Sequence, residues 1–201
     1  MTRVLVAALL LASALSTAAC GRTRTPDLSV IPLGGDFTLT DHDGHPFELR
    51  SLRGKVVLIF FGYTFCPDAC PTTLSKLGSV YRRLGADAER VKTLYISVDP
   101  ERDTPAALKA DMASFSVNAL GLTGAKADID KVVAQYGAAY EIVQTPESAA
   151  KYTVSHTTTL YALDVAGRMR MIFHYEASVD EIVAGIKAVL AATPAATPAR
   201  S

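Results

Sequence analysis

Residues 56–74 read VVLIFFGYTFCPDACPTTL, and the architecture follows from how this stretch is divided. Val56–Phe61 is an unbroken β-branched and aromatic run, the pattern of a strand buried on both faces. Leu74, Leu77, Tyr81 and Leu84 then recur at helical spacing as far as Gly85. Between strand and helix lie Cys66 and Cys70, each followed by a proline. Pro67 and Pro71 disfavour the α conformation in the cysteines before them. Pro71 is therefore expected as the first helical residue, with Cys70 as the cap. A thiol on the positive end of a helix is acidified, which favours thiolate. Metal binding and disulfide exchange both require thiolate, so the pattern announces sulfur chemistry without choosing between them.

Alternation continues on either side. Phe37–Leu39 and Phe47–Leu49 flank Asp41-His42-Asp43-Gly44, a hairpin with Asp-Gly turn chemistry. Leu94–Val98 is a second buried-type strand, and Thr104-Pro105 opens a helix through Leu108 and Met112. A short strand at Ala119–Leu122 precedes a helix around Ile129–Tyr140. Thr158–Leu163 and Arg168–Tyr175 pair across Asp164–Gly167. Ser178 and Glu181 have capping-box spacing before a last amphipathic helix through Ile182, Ile186, Val189 and Leu190. Strands alternating with helices predict a three-layer α/β domain. The cysteine pair falls at the carboxyl end of its first buried strand, where such sheets place their sites.

The ends read differently. Arg3, the apolar run Val4–Leu15 and the small residues Ser16–Ala19 have the parts of an export signal, and the apolar part is short for a membrane span. Small residues directly before Cys20 resemble a bacterial lipoprotein cleavage site, with Cys20 carrying the lipid. That pattern favours leucine where this chain has Thr17, so an uncleaved anchor or cleavage without lipid stays open. The expected organisation is a signal peptide over 1–19, a lipid-anchored linker over 20–30, a domain over 31–192 and a flexible Pro/Ala tail over 193–201. Location is then extracytoplasmic, in a bacterial periplasm, with the membrane reached through the N-terminal lipid.

Composition narrows the partners. Of 201 residues, 20 are basic and 20 acidic, and the longest basic run is Arg82-Arg83, which gives no stripe for nucleic acid. With Cys20 lipidated, one cysteine pair remains. A bridge closing so short a loop stabilises little, so a purely structural disulfide is disfavoured. Two thiolates with an imidazole suit copper or zinc. Four histidines are available: His42 and His45 in the hairpin turn, expected to be solvated, His174 on a strand, and His156 in a polar approach to a strand. Spacing alone does not bring His156 to cysteines 86 positions away.

Several segments in order, TDHDGHPFELRSLRGKVVLIFFGYTFCPDACPTTL, LYISVDPERDTP, GLTG and VSHTTTLYALDVAG, resemble the Sco/SenC family over roughly residues 31–190. The resemblance implies a thioredoxin-like fold: a central mixed sheet flanked by helices, with an added N-terminal hairpin. It implies one copper ion per chain held by Cys66, Cys70 and His156, with Asp68, Asp99 and Tyr63 near the site and Phe65 walling it. It also implies a chaperone that helps assemble the dinuclear copper centre of cytochrome c oxidase. The partners would be the copper-receiving oxidase subunit, an upstream copper donor and a periplasmic thiol reductase that keeps the pair reduced. A lipid cysteine stands where many relatives have a transmembrane anchor.

An enzyme is the rival reading: a thiol–disulfide oxidoreductase using Cys66 and Cys70 as a redox pair to reduce the acceptor's cysteines. Three residues separate the pair instead of the two of typical thioredoxin motifs. Ser155–Thr159 also occupies the region where thioredoxins usually carry a cis-proline. A thiol peroxidase fits less well still, since Thr64 stands near the cysteines without the rest of that pattern.

Overall fold

The computed structural model describes residues 27–192. The expected signal peptide, Cys20, most of the linker and the Pro/Ala tail lie outside the described residues. A hairpin of β1 (Thr38–Asp41) and β2 (Pro46–Glu48) comes first. Then follow β3 (Val56–Gly62), α1 (Ala69–Leu84), β4 (Val91–Ser97), α2 (Pro105–Ala113), β5 (Ala119–Thr123) and α3 (Lys126–Gln135). The chain continues through β6 (Tyr140–Gln144), β7 (Tyr152–His156), β8 (Leu160–Leu163), β9 (Met169–Phe173) and α4 (Val179–Ala192).

Seven strands form one sheet in the order β2-β1-β5-β4-β3-β8-β9, and β6 and β7 pair separately. β3, β4 and β5 are parallel, whereas β8, β9 and the β1–β2 hairpin join antiparallel. This is the expected mixed sheet with its added hairpin.

β3 is the axis of the core, with all seven residues buried. Alternation sends Val56, Leu58 and Phe60 to a cluster with α1, α2 and α4. Val57, Ile59 and Phe61 point the other way, to a cluster containing Ile129, Val132 and Val133 of α3. Side chains at period two thus bind helices to both faces, which is why the strand reads as continuously apolar.

Local signals terminate the elements. Thr104 Oγ1 accepts the Ala107 N–H at the start of α2. Ser178 and Glu181 exchange bonds as a capping box before α4. Gly85, at φ 59°, ends α1 in the left-handed region that glycine enters without steric cost. Both edges of the large sheet are blunted. β2 is three residues long and begins with Pro46, while Ile31 N–H bonds the Met169 carbonyl along the outer side of β9.

Three local expectations are corrected. α1 begins at Ala69, two residues before Pro71, and Asp68 takes the cap position expected of Cys70. The reason is that a helix leaves its first four N–H groups unpaired, so proline in the third position forfeits nothing. α3 ends at Gln135, because the chain turns at Gly137 (φ 65°) and Tyr140 opens β6. His42 is not solvated: its side chain is 16% exposed and its Nδ1 accepts the Gly121 N–H.

Asp164, 1% exposed, organises the turn between β8 and β9. It accepts from the backbone N–H groups of Ala166 and Arg168 and from the guanidinium groups of Arg168 and Arg170. Burial alone would raise its pKa, but these donors outweigh burial and hold the carboxyl below the ordinary aspartate range. A depressed folded pKa contributes stability above the unfolded value, lost as pH falls through the folded one. Asp164→Asn is therefore expected to cost about 1–3 kcal/mol in urea unfolding at pH 7, and the deficit should shrink as pH falls below about 4.

Candidate metal centre

The loop after β3 descends from Gly62 to the first turn of α1, with Cys66 within the loop and Cys70 in that turn. Cys70, in the first helical turn, is 3% exposed and packs into the core beneath α1. Cys66 is half-buried above it, and its sulfur accepts the Cys70 N–H at 3.4 Å. The earlier start of α1 therefore exchanges the roles expected of the pair. The sulfur over the positive end of the helix is that of Cys66.

Acidity follows the same geometry. The Cys70 thiol bonds Cys66 and holds its pKa down to about 3, against the opposing effect of burial. Cys70 is pushed far above the usual thiol range, first by that shared proton and then by burial. The two sulfurs share a proton and titrate as a pair, Cys66 the more acidic and Cys70 the less, and both cysteines are free.

His156 arrives from the other side. It is the last residue of β7 and pairs with Tyr140 in a small hairpin that the sequence pattern did not reveal. Its Nε2 lies 3.5 Å from Cys70 Sγ, and the donor atoms of Cys66, Cys70 and His156 all lie within 4.8 Å of one another. Nδ1 is 3.0 Å from the Thr157 carbonyl oxygen. A carbonyl only accepts, so Nδ1 donates to it and the ring presents Nε2 to the sulfurs. Phe60 and Tyr63 fix the ring edgewise, with centroids 6.0 and 5.8 Å away. Two sulfurs and an imidazole nitrogen form a soft donor set able to hold a single metal ion.

The remaining expected residues fall into different places. Tyr63 is buried against His156. Phe65 is 57% exposed beside Cys66. Asp68 is exposed, and its carboxylate meets only the Thr72 hydroxyl, at 3.5 Å, so it matches a solvated turn residue. Asp99 is 2% exposed and bonds Tyr152 at 2.8 Å and Arg102 at 2.5 Å.

That bond leads to a residue sequence reasoning missed. The Arg102 guanidinium also donates to the carbonyls of Ala150 and Tyr152, at 3.2 and 3.1 Å. It stacks 3.7 Å from the Tyr152 ring centroid, with Phe65 at 4.8 Å and Tyr63 at 5.7 Å. One cation therefore joins the cysteine loop, the loop after β4 and the hairpin bearing His156. The buried Asp103 carboxylate secures the same loop by accepting the Thr64 N–H and the hydroxyls of Thr64 and Ser97. The run Asp-Pro-Glu-Arg-Asp-Thr was the available signal, since charges directly after a buried strand need buried partners.

Residues 27–191 match the SCO1/SenC family model, and the chain belongs to that family. It is similar to Bradyrhizobium japonicum ScoI, solved with copper bound, at 43% identity and a TM-score of 0.71, over 79% of this chain and 99% of that one. The mouse mitochondrial SCO2 homolog is 36% identical over 178 residues, which are 87% of this chain and 69% of the relative. BsSco, in which a disulfide switch was identified and which is described as a member of the Sco family of cytochrome c oxidase assembly proteins, is 27% identical, with a TM-score of 0.63 over 80% of this chain and 95% of that one.

Two outcomes are expected of the site itself. At pH 6, iodoacetamide should label Cys66 at least about ten times faster than Cys70, read by peptide mass spectrometry of the reduced protein; equal rates would contradict the shared-proton arrangement. Arg102→Ala strands Asp99 as a buried unpaired carboxylate and should cost about 3 kcal/mol. Limited proteolysis should then cut within residues 140–156 well before the large sheet is attacked.

Proposed function

We propose that the chain is a copper chaperone that binds one copper ion through Cys66, Cys70 and His156 and helps assemble the dinuclear copper centre of cytochrome c oxidase. The observation that carries this reading is the convergence of two sulfurs and an oriented imidazole from distant parts of the chain. Cu(I) accepts such a soft, low-coordinate set. Binding displaces the proton shared by the cysteines, so affinity falls as pH is lowered. The half-buried Cys66 is the ligand an incoming donor or acceptor reaches first, and transfer proceeds by ligand exchange without covalent catalysis.

The setting we infer is a bacterial periplasm: residues 1–19 as a removed leader, Cys20 lipidated, 20–30 as the linker and 193–201 as a free tail. Among the described residues no helix is long and apolar enough to cross a membrane. The partners are an upstream copper donor, the copper-receiving oxidase subunit and a thiol reductase that returns the pair to the binding state.

A second reading has its own support. The thiolate–thiol asymmetry of Cys66 and Cys70 is also what a thiol–disulfide oxidoreductase needs, with Cys66 the attacking sulfur and Cys70 the resolving one. The acceptor's cysteines would be the substrate.

Titrating the reduced protein with Cu(I) against a chromophoric chelator separates the two. One ion per chain is expected, with binding abolished in Cys66→Ser and Cys70→Ser and weakened at least about tenfold in His156→Ala. Binding indifferent to His156, together with rapid reduction of a protein disulfide, would favour the oxidoreductase.

A further inference from the structure

Tyr95 stands in the middle of β4 and is completely buried, yet its hydroxyl has no hydrogen-bond partner at ordinary distances. A phenol is placed in an interior at a cost unless its O–H is satisfied. The other wholly buried tyrosine, Tyr136, meets that demand by donating to the Gly35 carbonyl at 3.0 Å. Tyr95 does not, although Phe60 beside it (ring centroids 6.0 Å apart) shows that an aromatic ring without a hydroxyl is accepted in this layer.

The hydroxyl points at the cysteine site. A Cβ built on Gly62 would lie 2.7 Å from Tyr95 Oη and 2.8 Å from Cys70 Sγ. The two atoms therefore share the small space over Gly62, which only a glycine leaves open. Tyr95 and Cys70 belong to the same buried cluster beneath α1. A thiol sulfur is a weak acceptor. A metal-bound Cys70 thiolate is a strong one.

We propose that Tyr95 is a positioning residue for the metal site, its O–H donating to Cys70 Sγ once that sulfur is a metal-bound thiolate. The hydroxyl is then unsatisfied in the metal-free reduced protein and satisfied in the loaded one. It biases the protein toward the loaded state from beneath the site, while Cys66 stays open above. The proposal rests on the metal-binding reading given above.

Tyr95→Phe keeps the ring and removes only the oxygen, so the fold should survive it. Three readings test the role: Cu(I) affinity by chelator competition, the sulfur-to-copper charge-transfer band of the Cu(II) complex, and the melting temperature of the metal-free reduced protein. The variant should bind Cu(I) about tenfold more weakly. Its band should move to longer wavelength, because a sulfur without a donor holds its electrons less tightly. Its metal-free form should melt at or above the wild-type temperature, since an unsatisfied buried group has been removed. Unchanged affinity and an unshifted band, with wild-type binding intact and abolished in Cys66→Ser, would overturn the role of Tyr95 alone. A metal-free variant that melts lower would also overturn it, by showing that the hydroxyl serves the fold. Failure of the wild type to bind copper would overturn the proposed function and this inference together.

Discussion

The burial of β3 on both faces is the constraint from which the rest of the molecule is built. A strand that must be covered above and below needs helices on each side and strands along each edge. Val56–Phe61 supplies apolar side chains in both directions, so the sheet grows outward from it to seven strands. The chain leaves the end of such a strand into the crevice between layers. There Gly62 removes a side chain, Thr64 and Phe65 turn the backbone, and the first turn of α1 presents unpaired N–H groups to a sulfur. The low pKa of Cys66 comes first from the Cys70 thiol beside it, and both sulfurs are brought there by where a doubly covered strand has to stop.

Much of this was legible in the sequence because its signals are local. Period-two and period-3.6 patterns, an Asp-Gly turn, a Thr-Pro helix start and the Ser178–Glu181 capping box each depend on residues within a few positions of one another. The start of α1 was misread for a related reason. The bias of proline against helix in its predecessor is local, but at Cys70 it yields to the burial of that side chain in the core. The β6–β7 hairpin was invisible because β6 is largely exposed and β7 buries only Val154, which leaves too short an apolar pattern to read. What holds it is polar and remote: Arg102, some 50 positions away, grips its backbone. Resemblance, not spacing, named His156 beforehand, since nothing local to a histidine at the end of a short strand tells of two sulfurs across the crevice.

The three donor side chains are therefore held in two different ways. Cys66 and Cys70 ride on the junction of a core strand and a long helix, and they move only as the core moves. His156 rides on a two-stranded ribbon outside the main sheet, held by rings, by the Thr157–Ala139 bonds and by one guanidinium. A rigid pair and a separately mounted third donor suit a site that must both hold and release: the sulfurs keep their spacing while the imidazole is set by a smaller, independent element.

The blunted sheet edges bear on crowding. Unpaired strand edges are the usual route by which neighbouring molecules zip together. Here one edge is a three-residue strand headed by Pro46, which has no N–H to offer. The other is occupied by the backbone at Ile31. On the lipid tether proposed above, copies of the chain would meet far more often than freely diffusing ones. Its reactive sulfurs would be lost if those encounters matured into sheet-to-sheet aggregates. With neither rim offering a ready register, repeated collisions remain collisions, and the exposed face beside Cys66 stays free to meet other molecules.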